Sequence, residues 1–191
     1  MTPGFYEFLK ASLKSPLQTS TPFASGPRVG RRFARHVHLR EDEILVELGV
    51  GSGSVTEHLL SRLSGPHQYV GFELNDDLYE YLHFEKYPHL EIHHDTAEHL
   101  LDVVKGRKVG AVISTLPWSL LAPPTRHSIL SQVHTSLQPG GLFGLFLSLH
   151  VLWTPAVKDF WAQLTQTFPE YTYIDEMLNI PPCRLYFARK H

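Results

Sequence analysis

Apolar positions along this chain follow two periodicities. Between residues 4 and 14, Phe5, Phe8, Leu9 and Leu13 recur at three- and four-residue spacing, with Glu7, Lys10 and Lys14 between them. That spacing predicts an amphipathic helix. The segment 15–27, SPLQTSTPFASGP, is dense in turn formers and predicts a loop. A second helix is expected over about 27–38, with Arg28, Arg31, Arg32 and Arg35 on one face.

From residue 44 onward, short apolar runs alternate with helical patterns. Strands are predicted at 44–46, 68–73, 90–94, 109–114 and 142–149, with helical stretches at 53–63, from 74 to about 85, 96–104, 124–137 and 155–167. Gln138-Pro139-Gly140-Gly141 reads as a turn ahead of the fifth strand. Repeated strand–helix units imply a parallel sheet covered by helices on both faces, because a parallel crossover needs a dozen or more residues. The close differs: β-rich runs at 171–178 and 184–188 flank Pro181-Pro182 and predict an antiparallel hairpin. The expected organisation is an N-terminal helical extension (1–40) ahead of one α/β domain (41–191).

Composition narrows the class. With 191 residues, 42% hydrophobic and 19% charged, the chain is too apolar for a disordered segment and large enough for a core. No apolar run approaches the roughly 20 residues of a membrane span, and the first residues lack a secretory signal pattern. A single cysteine, Cys183, excludes an internal disulfide and a Cys-rich zinc site, and a reducing, cytoplasmic setting is expected. The pairs His36/His38 and His93/His94 have no carboxylate or cysteine at ligand spacing, so no metal is expected. The net charge of −2 conceals an asymmetry, since residues 1–40 carry seven basic side chains against Glu7 alone. A basic arm on an acidic body suits an anionic membrane surface or a nucleic acid.

The first strand leads into Glu47-Leu48-Gly49-Val50-Gly51-Ser52-Gly53. Glycines there permit a tight turn and let a ligand lie against bare amides at a helix N-terminus. Ser54 stands where the dinucleotide fingerprint would need glycine, which disfavours a nicotinamide enzyme. Glu73 ends the second strand, where a carboxylate can accept from both ribose hydroxyls. Asp95 ends the third, where one can accept from an adenine amine. In an open α/β sheet, ligands bind at the carboxyl ends of the strands, so the three features converge.

Together with Leu137-x-Pro139-Gly140-Gly141, these residues resemble the pattern of class I S-adenosylmethionine-dependent methyltransferases, over roughly residues 40–190. The resemblance implies a seven-stranded Rossmann-like sheet whose last two strands form the hairpin. It also implies that Gly49, Gly51 and Gly53 pass under the methionine part of the cofactor, with Glu47 opening the loop, Glu73 on the ribose and Asp95 on the adenine. Leu74 and Thr96, beside the two acids, join that set.

Strand four ends in Ser114-Thr115-Leu116-Pro117-Trp118, where such folds place the methyl acceptor. Carbonyls beside the proline and the Ser114 hydroxyl can accept N–H bonds from an amine, and Trp118 can offer it a π face. Ser114 stands where base-directed amino methyltransferases carry Asn or Asp, which disfavours RNA or DNA. This segment, Phe8 through Ser25 with Ser15-Pro16-Leu17-Gln18-Thr19, and Asn179-Ile180-Pro181-Pro182 are similar to bacterial phospholipid N-methyltransferases. That likeness adds Thr19 and Ser25 to the cofactor residues. The expected reaction is methylation of the amine of phosphatidylethanolamine and its methylated forms, with Ser114, Leu116, Pro117 and Trp118 at the reacting centre. His150, Arg184 and Tyr186 are expected at the substrate, and the helix at 4–14 at the inner membrane face. A small-molecule amine methyltransferase, a nucleic-acid adenine methyltransferase and a non-catalytic cofactor-binding module remain as alternatives.

Overall fold

A computed structural model of the chain describes residues 26–191. The expected helix at 4–14 and the loop carrying Thr19 and Ser25 lie outside the described residues.

The first element, α1 (Pro27–His36), opens on proline, whose fixed φ and missing N–H suit a first helical turn. Val29 and Phe33, one turn apart, are fully buried against the sheet, and Val37 continues their line. Arg28, Arg31 and Arg35 occupy the exposed face. Arg32 turns away from them to pair with Glu176 at 3.3 Å.

Seven strands form one sheet in the order β3-β2-β1-β4-β5-β7-β6. They are β1 (Glu43–Leu48), β2 (Tyr69–Phe72), β3 (Glu91–His93), β4 (Lys108–Ser114), β5 (Leu137–Ser148), β6 (Tyr171–Glu176) and β7 (Cys183–Arg189). The first five are parallel; β7 runs antiparallel between β5 and β6. This is the Rossmann-like methyltransferase topology expected from the sequence, hairpin included.

The crossovers supply α2 (Thr56–Leu60), α3 (Asp76–Glu80), α4 (Leu100–Val104), α5 (Pro123–Ser136) and α6 (Pro155–Thr167). One sheet face buries Val46, Val112 and Leu145 under α4, α5 and α6; the other buries Leu45, Ile113 and Leu185 under α1 and α2.

Several elements differ from expectation: the strand expected over 171–178 ends at Glu176, and the stretch expected to about 85 divides into α3 and a π-helix at Tyr81–Lys86. The helix predicted over 53–63 shortens to α2, because Gly53 has φ +74° and Arg62 and Leu63 donate to carbonyls only three residues back. Conversely, β5 begins at Leu137, not 142. Gly140 donates to the Lys190 carbonyl at 2.7 Å and Lys190 to that of Gly141 at 3.0 Å, drawing the Pro-Gly-Gly turn into the ladder beside β7. A register shift between Val109 and Ala111 absorbs the extra residues.

Candidate functional site

The loop after β1 is closed by backbone bonds: Gly49 and Val50 both donate to the Phe72 carbonyl, at 2.9 and 3.1 Å. Gly49, Gly51 and Gly53 all hold positive φ, at +82°, +60° and +74°. Two of them differ in their surroundings. A Cβ on Gly53 would lie 2.7 Å from Cε2 of Tyr87, whereas one on Gly51 would meet nothing within 4 Å. The crest of the loop therefore faces open space while its far end is packed. Lys86 Nζ donates to the Ser52 carbonyl at 2.8 Å and the Tyr87 hydroxyl to that of Gly53 at 3.3 Å. Sequence reading missed both braces, because no local pattern links positions more than thirty residues apart.

Glu47 lies fully buried beneath this loop. Its Oε2 accepts from Thr56 Oγ1 at 2.7 Å and from the Tyr69 hydroxyl at 2.6 Å, while Oε1 has no partner. Burial pushes its carboxyl up to about 7, against the two hydrogen bonds, and the charge of Glu73 adds to the rise. Thr56 and Tyr69 were not anticipated as its partners.

Glu73 is also buried, but both oxygens are held by backbone: Oε2 accepts from Gly51 N at 2.7 Å and Oε1 from Asn75 N at 2.8 Å. Burial raises its pKa and these bonds oppose the rise. Neither strand-end acid is the cap of the following helix. Asn75 Oδ1 caps α3 by accepting from Leu78 N, and Thr96 caps the turn Ala97–His99 by accepting from Glu98 N. Asp95 Oδ1 accepts from Thr96 N at 2.7 Å and meets His99 Nδ1 at 2.9 Å, leaving Oδ2 outside both contacts. Leu74 contributes its carbonyl to His94 Nε2 at 3.3 Å.

The segment after β4 lies against the glycine loop. A Cβ on Gly49 would stand 3.1 Å from Leu116 Cδ2, and Thr115 Oγ1 donates to the Gly49 carbonyl. The carbonyls of Leu116 and Pro117 accept from Trp118 N and Leu120 N; among the described residues, that of Thr115 accepts from none. Beside the segment is a cleft lined by Leu116, Pro117, Trp118, Phe146, Leu147 and Val151, with Ser119 and Ser148 as its polar members.

Two expectations are corrected here. Trp118 borders the cleft but its ring is not an open π face: it is fully buried, stacked on Phe160 at 4.7 Å and edge-on to Phe143. A large apolar ring following Pro117 gains more by filling the space under α6 than by facing water. Ser114 is not a free acceptor either. Its hydroxyl already accepts from Trp118 Nε1 at 3.1 Å and Leu116 N at 3.4 Å, which uses both lone pairs.

A family model described as "Methyltransferase domain" matches residues 45–141. The chain belongs to this methyltransferase family. Over 190 residues the methyltransferase is 22% identical to the ornithine lipid N-methyltransferase of Singulisphaera acidiphila, a match covering 97% of this chain and 95% of that protein. A ribosomal RNA small subunit methyltransferase A of Thermotoga neapolitana is 27% identical over 106 residues, 53% of this chain and 37% of that one. Among solved structures, an O-methyltransferase from Bacillus cereus in complex with SAH has a TM-score of 0.72 at 10% identity, covering 100% of this chain and 92% of that one. The N-methyltransferase NodS of Bradyrhizobium japonicum has a TM-score of 0.66 at 14% identity, covering 97% and 98%. These last two share the fold.

The methyltransferase is S-adenosylmethionine-dependent, and its residues fit that cofactor. The crest at Gly51 is open to a ligand, and Glu73 is pinned beside it by the same amide. At the next strand end Asp95 offers Oδ2, which has no hydrogen bond among the described residues.

Of the substrate residues predicted on the hairpin, Arg184 stands opposite Leu147 at the carboxyl edge and Tyr186 opposite Leu145, further into the sheet. Arg184 forms a two-bond pair with Asp175, at 2.6 and 2.9 Å, and lies over the Tyr173 ring at 4.1 Å. Tyr186 is buried against Trp161 at 4.6 Å. Cross-strand packing with β6 and α6 engages both side chains. His150 is exposed, in the turn Leu149–Val151 next to the cleft. No helix among the described residues is long and apolar enough to cross a membrane.

Proposed function

We propose that this methyltransferase methylates the primary amine of a membrane lipid head group, with phosphatidylethanolamine as the first substrate to test. The supporting observation is the reach of the match to the ornithine lipid enzyme. It covers nearly the whole chain, including the acceptor side beyond residue 141, whereas the ribosomal RNA enzyme matches about half.

In this reading the amides around Gly51 hold the methionine part of the cofactor, Glu73 takes the ribose hydroxyls and Asp95 the adenine amine. S-adenosylmethionine, when bound, supplies an activated methyl group together with its own leaving group. The chain's task is then alignment. The Thr115 carbonyl, which accepts from no other described residue, accepts an N–H of the amine, and the Thr115 hydroxyl holds this segment against the glycine loop. An alkyl ammonium has a pKa near that of lysine, so keeping it neutral at pH 7 costs about 4 kcal/mol. The apolar walls Leu116, Phe146 and Val151 lower that cost by disfavouring the charged form. His150, exposed at the mouth, accepts the departing proton and passes it to solvent.

The test is incubation of the protein with methyl-labelled S-adenosylmethionine and vesicles containing either phosphatidylethanolamine or an ornithine lipid. Label in either lipid supports the proposal and identifies the head group. Label only in a soluble amine or in RNA overturns it.

A further inference from the structure

The strand ends that carry the cofactor residues share their edge with another feature. Because β6 is antiparallel to β7 and β7 to β5, the turn joining β6 to β7 returns to the carboxyl ends of the parallel strands. This turn exposes Met177, Leu178 and Ile180, the last with 88% of its surface in water. Trp153, following β5, is 73% exposed at the same edge. Leu149 N donates to the Pro182 carbonyl at 2.9 Å and ties the two turns together. The start of α1 is fixed there too, since Gly26 N donates to Asn179 Oδ1 at 3.0 Å. Arg28 and Arg31 therefore stand beside the apolar tip.

The acids of this neighbourhood are already engaged: Glu176 pairs with Arg32 and Asp175 with Arg184. Among the described residues, Arg28, Arg31 and Arg35 have no ion pair. The edge combines exposed large apolar side chains with guanidinium groups that no described acid pairs, which is the composition of an interfacial membrane contact.

We infer that the Met177–Ile180 tip, Trp153 and the arginines of α1 dock this edge onto an anionic lipid bilayer, with the tip inserted at the head-group boundary. Charge selects the bilayer over two other occupants. The segment 1–25 has apolar residues, but Lys10 and Lys14 against Glu7 give it a net positive charge, the same sign as the arginines. A second copy of the same edge brings a like charge. A bilayer contact also puts a lipid amine at the reactive edge without full extraction, so the inference deepens the lipid reading and rests on it.

The experiment is co-sedimentation of the full chain with vesicles of phosphatidylglycerol and phosphatidylcholine, alongside a Leu178→Asp/Ile180→Asp double variant. Retained S-adenosylhomocysteine binding by calorimetry establishes that the variant is folded. Partitioning should fall at least about tenfold in the double variant and about fivefold for each of Arg28→Ala and Arg31→Ala. Brominated lipids should quench the parent's tryptophan emission but not that of Trp153→Phe. Unchanged sedimentation of the double variant, equal binding to pure phosphatidylcholine, or a drop in solution mass caused by the variant would each overturn the inference. Failure of the substrate reading is separate. Tip-dependent vesicle binding with no lipid labelled leaves docking standing, while lipid labelled equally by parent and double variant leaves only the chemistry.

Discussion

Replacing Glu47 by glutamine should change how stability depends on pH. The folded chain keeps the Glu47 proton up to about pH 7, whereas the unfolded chain releases it near the ordinary value of 4.5. Between those values the folded state binds more protons than the unfolded one, so stability falls as pH rises and levels off above 7. At about 1.4 kcal/mol per pH unit, the interval amounts to about 3 kcal/mol. Glutamine keeps an oxygen for the Thr56 and Tyr69 hydroxyls and carries no charge, so it mimics the protonated state throughout. Thermal unfolding of both proteins at pH 5 and pH 8 gives the difference free of all other titrations. The parent should lose roughly 6–12 °C relative to the variant over that range. Parallel curves would refute the assignment of a proton to this buried carboxyl at neutral pH.

The remaining predictions concern the glycine loop, the acceptor segment and the core beneath it. Gly53→Ala should destabilise by about 2–4 kcal/mol, from positive φ plus collision with Tyr87, whereas Gly106→Ala, at φ +78° with nothing within 4 Å, should cost about 1–2 kcal/mol; denaturant midpoints decide. Glu73→Ala should weaken S-adenosylhomocysteine binding more than about tenfold by calorimetry, because the Gly51 and Asn75 amides lose a charged acceptor along with the ribose contact. Thr115→Val should lower kcat about ten- to a hundredfold, with cofactor affinity little changed in the same preparation. Trp118→Ala should cost about 3–5 kcal/mol of stability, as a core deletion does. Equal stability with weakened substrate affinity would restore the ring to the substrate.

What was legible in the sequence was governed by local repetition. The alternation of strands and helices, the hairpin about Pro181-Pro182 and the glycine loop with its two strand-end acids all follow from periodicity, turn chemistry and topology. What escaped depends on partners distant in the chain. Whether Trp118 faces substrate or core is decided by Phe160, forty-two positions on and in α6. No local pattern gives Thr115 a partner, yet its hydroxyl reaches Gly49 across two loops. Arg184 is different, since its partner was available: once the turn is placed, Asp175 stands opposite it, and opposite charges across a hairpin pair.

The position of β7 between β5 and β6 governs the order in which the sheet is completed. As the polypeptide leaves the ribosome, β6 emerges with no strand to receive it and β5 keeps one side bare. Residues 183–189 supply both missing ladders in one step. A product truncated before Cys183 thus loses two ladders, and with them the attachment of β6 to the sheet, for the absence of one strand.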